Sequence, residues 1–450
     1  MRTKPFLRSL ISFAVLIILF QCFSTVRAQS AGQLYLEFVR ESLAGLRTQL
    51  PELEVFAAEA ASRLAKSEAL IHIRSSGNFS SEMNGRAGGL GVNTKGGSDE
   101  SMHPDAIFFL AYTADDRSNP GRVGNAGRIK NGYTVLFAAP EVLRAASRKS
   151  KYKFKEDSFS AVIDNQTGKR VSFESGGVTY STASLLNIVN GWVFTGEMTA
   201  ALTRLGRMPI FYLSFALDQR NDYVRAGKYS RELSPGLKYG PMKSFHDDVM
   251  ISNSEVPGEG MMVIPPLEPG FMGGRYLDIL DGYLAAYADT SFSDIQRIVD
   301  RAVRVKAAGG TVFFASIGHT FPSEVPSKER SRGAMHVISQ GWNRDDYTGP
   351  GPGTEDLMIV LGMPTFPAAR AAFAAENDIE LVMLSTEKPT DRGPESYDTN
   401  RFLWLETPWP MEDGAVEIPG YDIKVLPVTG FMNGVLYYTI KAELEQRLAN

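Results

Sequence analysis

Two stretches of this chain combine residues that could move protons on a small ligand. They are "SSGNFSSEMNGRAGGL", from Ser75 to Leu90, and "SIGHTFPSE", from Ser316 to Glu324, and each follows a short apolar run. Glu82 and Glu324 have the chemistry of general bases able to take a proton from a carbon beside a carbonyl, and His319 could protonate or deprotonate a sugar oxygen. Ser75, Ser76, Ser80, Ser316 and Thr320, together with backbone N–H groups at the start of a following helix, could hold an anion or sugar hydroxyls. Gly77 and Gly318 let the chain turn sharply and let a ligand approach the backbone. Loops of this composition also simply cap helices, and a carboxylate in a first helical turn is stabilised by the helix dipole alone. Repetition favours the ligand reading: in both stretches a glycine among hydroxyls is followed by a glutamate, Gly77 by Glu82 and Gly318 by Glu324.

Such loops need a scaffold, and the surrounding pattern supplies one twice. Residues 33–66 read as two helices broken at Pro51, with Leu53, Phe56, Ala60 and Leu64 at helical spacing. "ALIHIR" (69–74), "AIFFLAY" (106–112) and "YTVLFAA" (133–139) are buried-strand candidates, a helix-capable stretch precedes the last of them, and 184–205 is a long helix. The stretch 161–174 reads as a polar hairpin added at a sheet edge. From 276 the programme restarts: two helices, with Ile295, Ile298, Val299 and Ala302 on one face of the second, then the strand "TVFFAS", the second loop, "DLMIVL", a helix at 366–376, "IELVMLS", "RFLWLE" and a closing helix from Thr429 to Leu448. Short apolar strands alternating with helices argue for parallel sheets covered on both faces. The expected fold is therefore α/β: two tandem three-layer α/β/α units, 29–215 and 276–450, joined by an irregular glycine- and proline-rich connection over 216–275.

Composition bounds the rest. At 450 residues and 43% hydrophobic content the chain is too long for one core of ordinary size. Residues 1–28 read as a cleaved export signal, with Arg2, Lys4 and Arg8 before an apolar run from Leu10 to Phe20 and small residues at the end, so the mature protein is expected to be periplasmic or secreted. Cys22, the only cysteine, falls inside that segment; its removal excludes disulfides, cysteine nucleophiles and thiolate metal sites. Loss of Arg2, Lys4, Arg8 and Arg27 takes the formal charge from −4 to −4 − 4 = −8. An acidic chain without a basic cluster is not expected to bind nucleic acid, and after signal cleavage no membrane association is expected. His246, Asp247 and Asp248 have the atom types for a divalent cation, but three adjacent residues rarely converge, so no metal and no cofactor is assigned. His72 and His103 read as structural, and no Gly-x-Ser-x-Gly elbow of a serine hydrolase is present.

With its neighbours, the pair of loops resembles the SIS (sugar isomerase) family. "SEMNGRAGGL" (81–90) resembles the glutamate and Arg-Ala-Gly-Gly-Leu run of single-domain bacterial members, "IGHT" (317–320) resembles their Gly-His-Ser loop, and the helix at 184–205 with "RMPIFYLS" and the C-terminal "LPVTGFMNGVLYYTIKAELEQRL" resemble their closing helices. The resemblance covers about 33–215 and 276–450. It implies a five-stranded parallel sheet between helices in each unit, a sugar-phosphate ligand class, isomerase or lyase chemistry with Glu82 or Glu324 as base, and sugar contacts from Gly318, His319 and Thr320. The second family loop, a Ser-x-Ser-Gly phosphate cradle, is replaced here by "YTADDRSNPG" (112–121) and "LGMPTFPA" (361–368). Asp115 and Asp116 would repel a phosphate, and Thr113 and Thr365 are the hydroxyls left nearest the strand ends. The combined expectation is a binder of an unphosphorylated sugar or amino sugar, a monomer whose halves form an internal pseudo-dimer, or else a homodimer. An inactive interaction scaffold and a two-lobed solute-binding protein are the alternatives.

Overall fold

The computed structural model describes residues 29–450 except 67–69, 75–78, 84–85, 92, 96–102, 114–128, 130–131, 150–153, 167–168, 170, 173–178, 181, 183–184, 210, 213–249, 253–263, 317–332, 339–351, 363–365, 367, 390–400 and 422. The chain opens with helices α1 (Ala31–Arg47) and α2 (Leu50–Lys66). Ser30 starts α1 with a reciprocal cap, its hydroxyl accepting from the Gln33 N–H while the Gln33 side chain accepts from the Ser30 N–H. Pro51 lies in the first turn of α2, where its missing N–H costs nothing. There follow β1 (Ile71–Ile73), the short α3 (Phe79–Met83), β2 (Asn93–Lys95), β3 (Ile107–Ala111), β4 (Tyr133–Phe137), α4 (Pro140–Lys149), β5 (Ala161–Ile163), β6 (Val171–Ser172), β7 (Thr179–Tyr180), α5 (Leu185–Arg204), β8 (Arg207–Pro209) and β9 (Met250–Ser252).

The second half runs α6 (Phe271–Asp289), α7 (Phe292–Ala307), β10 (Val312–Ser316), β11 (His336–Ile338), β12 (Leu357–Leu361), α8 (Ala368–Glu376), β13 (Glu380–Ser385), β14 (Phe402–Glu406), the hairpin β15 (Gly414–Val416) and β16 (Val425–Pro427), and α9 (Thr429–Ala449). Its first helix begins at Phe271, five residues before the expected boundary at 276.

Two five-stranded sheets result, in the orders β2-β1-β3-β4-β5 and β11-β10-β12-β13-β14. Every pairing within them is parallel, with Ile71 opposite Ile107, Ile107 opposite Tyr133 and Val312 opposite Leu357. The protein is α/β with one parallel sheet per half, as the alternation of strands and helices requires. Strands β3, β4, β10, β12 and β13 are buried at every position, which explains why their sequences are mainly apolar and do not alternate.

One expectation fails here. Ala161–Ile163 is the fifth parallel strand of the first sheet, with Val135 opposite Ala161, and belongs to no hairpin. The antiparallel ladder pairs β6 with β7 further on. The alternation that suggests a hairpin arises because an edge strand leaves Val162 half-buried between Ala161 and Ile163. The crossover helix α4 before it makes the pairing parallel.

Side-chain alternation sorts the strands between two faces. Phe109, Val135 and Phe137 of the first sheet join Phe314, Ile359 and Leu361 of the second in a single apolar cluster with α1, α2, α5, α6, α7 and α9. The opposite faces pack on one crossover helix each: Phe108 and Leu136 against Leu143 of α4, Met358 and Val360 against Ala371 of α8. Helix α5 is buried from Leu185 to Thr203 because neighbours surround it, including α2, α3 and α6.

The halves exchange their first helices. α1 packs chiefly on α9, the last helix of the second half, and α6 packs on α5, the last helix of the first half. Each long helix also caps the incoming one. Glu197 on α5 accepts from the N–H groups of Gly270 and Gly273 at the start of α6 at 2.8 and 2.6 Å. Glu443 and Gln446 on α9 accept from those of Gly32 and Ala31 at the start of α1 at 3.1 and 2.8 Å. A carboxylate on free N–H groups at a helix start is a favourable use of buried charge. Burial still raises the Glu197 carboxyl above its ordinary value, the two N–H donors opposing it. Glycine is required at the contact: a Cβ on Gly273 would lie 2.9 Å from Leu50 and Val193 side-chain atoms.

Candidate functional site

In an open parallel sheet, ligands bind beyond the carboxyl ends of the strands where the strand order reverses direction. Both sheets reverse between their first and third strands, that is between β1 and β3 and between β10 and β12. The two loops singled out in the sequence leave the first strand of each sheet at that point: residue 74 follows β1, and Ser316 is the last residue of β10. Thr113 lies two residues beyond β3 and is buried. Ser80 sits half-buried on α3. Ser75, Ser76, Gly77, Gly318, His319, Thr320, Glu324 and Thr365 lie outside the described residues, as do Asp115, Asp116, His246, Asp247 and Asp248.

Glu82 is described, and its environment is the least expected feature of the protein. α3 carries it into the joint between the halves, where it is fully buried. Its Oε1 accepts from Trp192 Nε1 on α5 at 3.4 Å and lies 3.3 Å from Arg86 Nε. Arg86 is also buried and turns its Nη2 to Asp413 Oδ2 and Thr429 Oγ1, each at 2.7 Å. Asp413 in turn accepts from the backbone N–H and hydroxyl of Thr429, at 2.9 and 3.0 Å. Gly430 approaches so closely that a Cβ there would collide with the Glu82 carboxylate. Glu82 Oε2 and Arg86 Nε have no hydrogen-bond partner.

Two carboxylates thus share one guanidinium in a buried joint, and Asp413 has the better share. Desolvation is the main reason that the Glu82 carboxyl is held above its ordinary value of 4.5; Arg86 opposes the shift, and Asp413 adds to it. For Arg86, burial acts to lower the value, but Glu82 and Asp413 outweigh it and hold the guanidinium charged. Tyr276 of α6 feels the same two carboxylates; burial chiefly, and then those charges, push its hydroxyl well above the tyrosine range while it donates to the Pro427 carbonyl at 2.6 Å.

The "RAGGL" run does structural work in the same place. Gly88 adopts φ +70°, its N–H donates to the Tyr212 carbonyl and its own carbonyl accepts from the Leu426 N–H of β16. The run therefore stitches β16 of the second half to the chain just beyond β8 of the first. Glu82 lines none of three clefts, one between Phe271 and the 417–424 segment, one between α4 and 154–157, and one between α1 and α6.

The end of the second sheet differs. Ser316, fully buried, accepts from Asn433 Nδ2 of α9 at 3.3 Å, while the Asn433 Oδ1, also buried, has no hydrogen-bond partner. Glu387, buried just past β13, accepts from the Phe366 N–H at 2.7 Å and so holds the segment that follows β12. Nothing local in the sequence singles out Asp413, Asn433 or Glu387, because their partners are brought to them by folding. Arg86 belongs to the "RAGGL" run and Trp192 to the long helix at 184–205, and neither position by itself points to Glu82.

His72 is nine-tenths buried in β1 and stacks on Phe108 with ring centroids 5.3 Å apart. The exposed His103 accepts from the Asp105 N–H at 3.2 Å. Among the described residues no group of three histidine, cysteine, aspartate or glutamate side chains could hold a metal ion, and no helix is long and apolar enough to cross a membrane.

No family model matches this sequence, and no curated protein matches it. Among solved structures, the chain is similar to a Silicibacter pomeroyi DSS-3 protein described as a phosphosugar isomerase, with 12% identity over 94% of this chain and 98% of that one and a TM-score of 0.43. It is similar to a Salmonella typhimurium LT2 protein described as sugar binding, with 10% identity over 93% and 100% and a TM-score of 0.45. It is also similar to the C-terminal domain of glucosamine-fructose-6-phosphate aminotransferase from Francisella tularensis, with 9% identity over 90% and 94% and a TM-score of 0.39. At such identities the likeness concerns the path of the chain and not its side chains.

Proposed function

We propose that this is an exported protein that binds an unphosphorylated carbohydrate derivative, a sugar or amino sugar, beyond the carboxyl end of its second sheet. The observation that carries the reading is the strand order, which has each hydroxyl- and glycine-bearing loop leave its sheet at the switch point. The second half is favoured because Glu82 is sealed between Trp192, Arg86 and Gly430. Glu324 is then the candidate base, with His319 beside the sugar oxygen and Ser316, Gly318 and Thr320 as binding residues. If a bond is remade, the reaction is an isomerisation or elimination begun by that glutamate. The internal pairing of the two halves suits a monomer.

The test is thermal shift of the mature protein against neutral sugars, amino sugars and their phosphates. The expected result is a rise in Tm with unphosphorylated ligands, lost in Glu324→Ala and His319→Ala and kept in Glu82→Gln. Stabilisation by phosphates alone would overturn the view that the phosphate cradle has been lost. The same sealed Glu82 favours a second reading, an inactive scaffold. Absence of any shift, with all three substitutions silent, would select it.

A further inference from the structure

One run departs from the acidic balance of the chain and corrects the reading that it lacks a basic cluster. Between Arg144 and Lys155 the sequence "RAASRKSKYKFK" holds Arg144, Arg148, Lys149, Lys151, Lys153 and Lys155 and no acid, in a chain whose formal charge is −4. Lys151 and Lys153 lie outside the described residues; the other four are exposed. Arg148 and Lys149 complement the dipole at the end of α4, but Arg144, a turn earlier, and Lys155, beyond the helix, do not.

Arg144 and Arg148 of α4 rim one side of a groove of about 560 Å³, and Lys155, Glu156 and Asp157 of the segment 154–157 line the other. The groove is braced from below. Ser147 Oγ donates to the Phe154 carbonyl at 2.7 Å and accepts from the Phe154 N–H at 3.3 Å, and Leu143, Phe154 and Phe159 are packed into the apolar layer beneath. It is therefore formed before any ligand arrives. Helix α4 starts beyond the carboxyl end of β4 and runs back along the sheet, so its basic end lies about 15 Å from the switch-point side.

We propose that this groove binds an acidic glycan, a sugar chain bearing carboxylate or sulfate groups, independently of the ligand proposed above. Arg144 and Arg148, at i and i+4, present planar forks that match a carboxylate or sulfate. Glu156 and Asp157, both exposed, accept hydrogen bonds from hydroxyls beside it. The acids distinguish this site from a patch that gathers anions by charge alone. The Arg144–Glu156 pair spans the groove at a loose 3.7 Å, leaving both groups available. A phosphodiester backbone, or a bilayer whose anionic headgroups carry no hydroxyl, would gain no hydroxyl contacts from Glu156 and Asp157 and would be repelled by them.

The experiment is titration calorimetry of the full protein at two salt concentrations. Its probes are a heparin-derived hexasaccharide, maltohexaose, single-stranded DNA and dihexadecyl phosphate vesicles, whose headgroups carry no alcohol. The acidic hexasaccharide is expected to bind most tightly, and R144A/R148A to weaken it by about tenfold or more. Lys155→Ala, made separately, should weaken it less. The deciding variant is E156Q/D157N, which makes the groove more positive yet is expected to weaken glycan binding several-fold by removing hydroxyl acceptors. Tighter binding by that variant, equal or tighter binding of DNA or vesicles, or no binding of the hexasaccharide would each overturn the proposal.

Discussion

The carboxyl ends of the two sheets share a strand order and differ in how their polar groups are satisfied. At the first, Asn165 Nδ2 donates to the carbonyls of Tyr112 and Phe137 and to Asn187 Oδ1, and Glu82, Arg86 and Asp413 close on one another in the joint. At the second, Asn433 satisfies Ser316 and keeps a buried acceptor unused. A buried polar group without a partner costs roughly 1–3 kcal/mol. At the first end the unpartnered atoms, Glu82 Oε2 and Arg86 Nε, belong to an ion-paired cluster that offsets that cost, whereas at the second Asn433 Oδ1 has no charge beside it in that role. The repeated fold supplied two equivalent positions; the first has become a fastening between halves.

That contrast can be broken most forcefully at Arg86. Arg86→Met would leave Glu82 and Asp413 buried without a counter-charge, and a loss of about 3–5 kcal/mol in chemical denaturation is expected. A loss below 1 kcal/mol would mean that the joint is not held by charge. Next comes Gly430→Ala, whose methyl group would drive into the Glu82 carboxylate; about 1–3 kcal/mol should be lost. Gly434→Ala, one helical turn on, meets only the flexible end of Leu185 and should cost less. Near-equal costs would show that the first end is no more rigid than its surroundings.

Asn187→Ala and Asn433→Ala form a matched pair at the two ends. The first removes the acceptor used by Asn165 and should cost about 1–2 kcal/mol, whereas the second removes an unused acceptor and only the longer 3.3 Å bond to Ser316 and should cost about half as much or less. Reversal of that order in urea titrations would undo the distinction drawn here.

The smallest effect carries a sign. Because the Glu82 carboxyl is raised in the folded state, the native protein binds more protons than the unfolded chain between the unfolded value, near 4.5, and the folded one. Its contribution to stability is therefore lost as pH rises through that window. Glu82→Gln should flatten this slope, matching wild type near pH 4 and exceeding it near pH 8 in Tm. An unchanged pH profile would show that Glu82 is ionised in the joint.

Much of this architecture was legible in the sequence, for local reasons. Runs such as "IFFLA" and "LMIVL" are buried on both faces and read as strands without knowledge of their neighbours, and the 3.6-residue spacing of Ile295, Ile298, Val299 and Ala302 announces α7. The three-residue strands β2 and β11 went unseen because so short a run carries no period. α4 shows no clear apolar stripe in the sequence because the exposed Arg144, Arg148 and Lys149 stand among its buried Val142, Leu143 and Ala146. For the site, Glu82 was found by type and spacing, but its surroundings were not, since Trp192, Asp413, Thr429 and Gly430 are brought to it only by packing.

By itself the sequence determined the repeated order of helices and parallel strands, since backbone preference and side-chain periodicity act over a few residues. The tertiary structure alone decided that each half lends its first helix to the other, that Glu197 and Glu443 cap those borrowed helices, and that Glu82 is locked away. Desolvation and charge pairing depend on which atoms end up within a few ångströms, and chain order does not encode that distance.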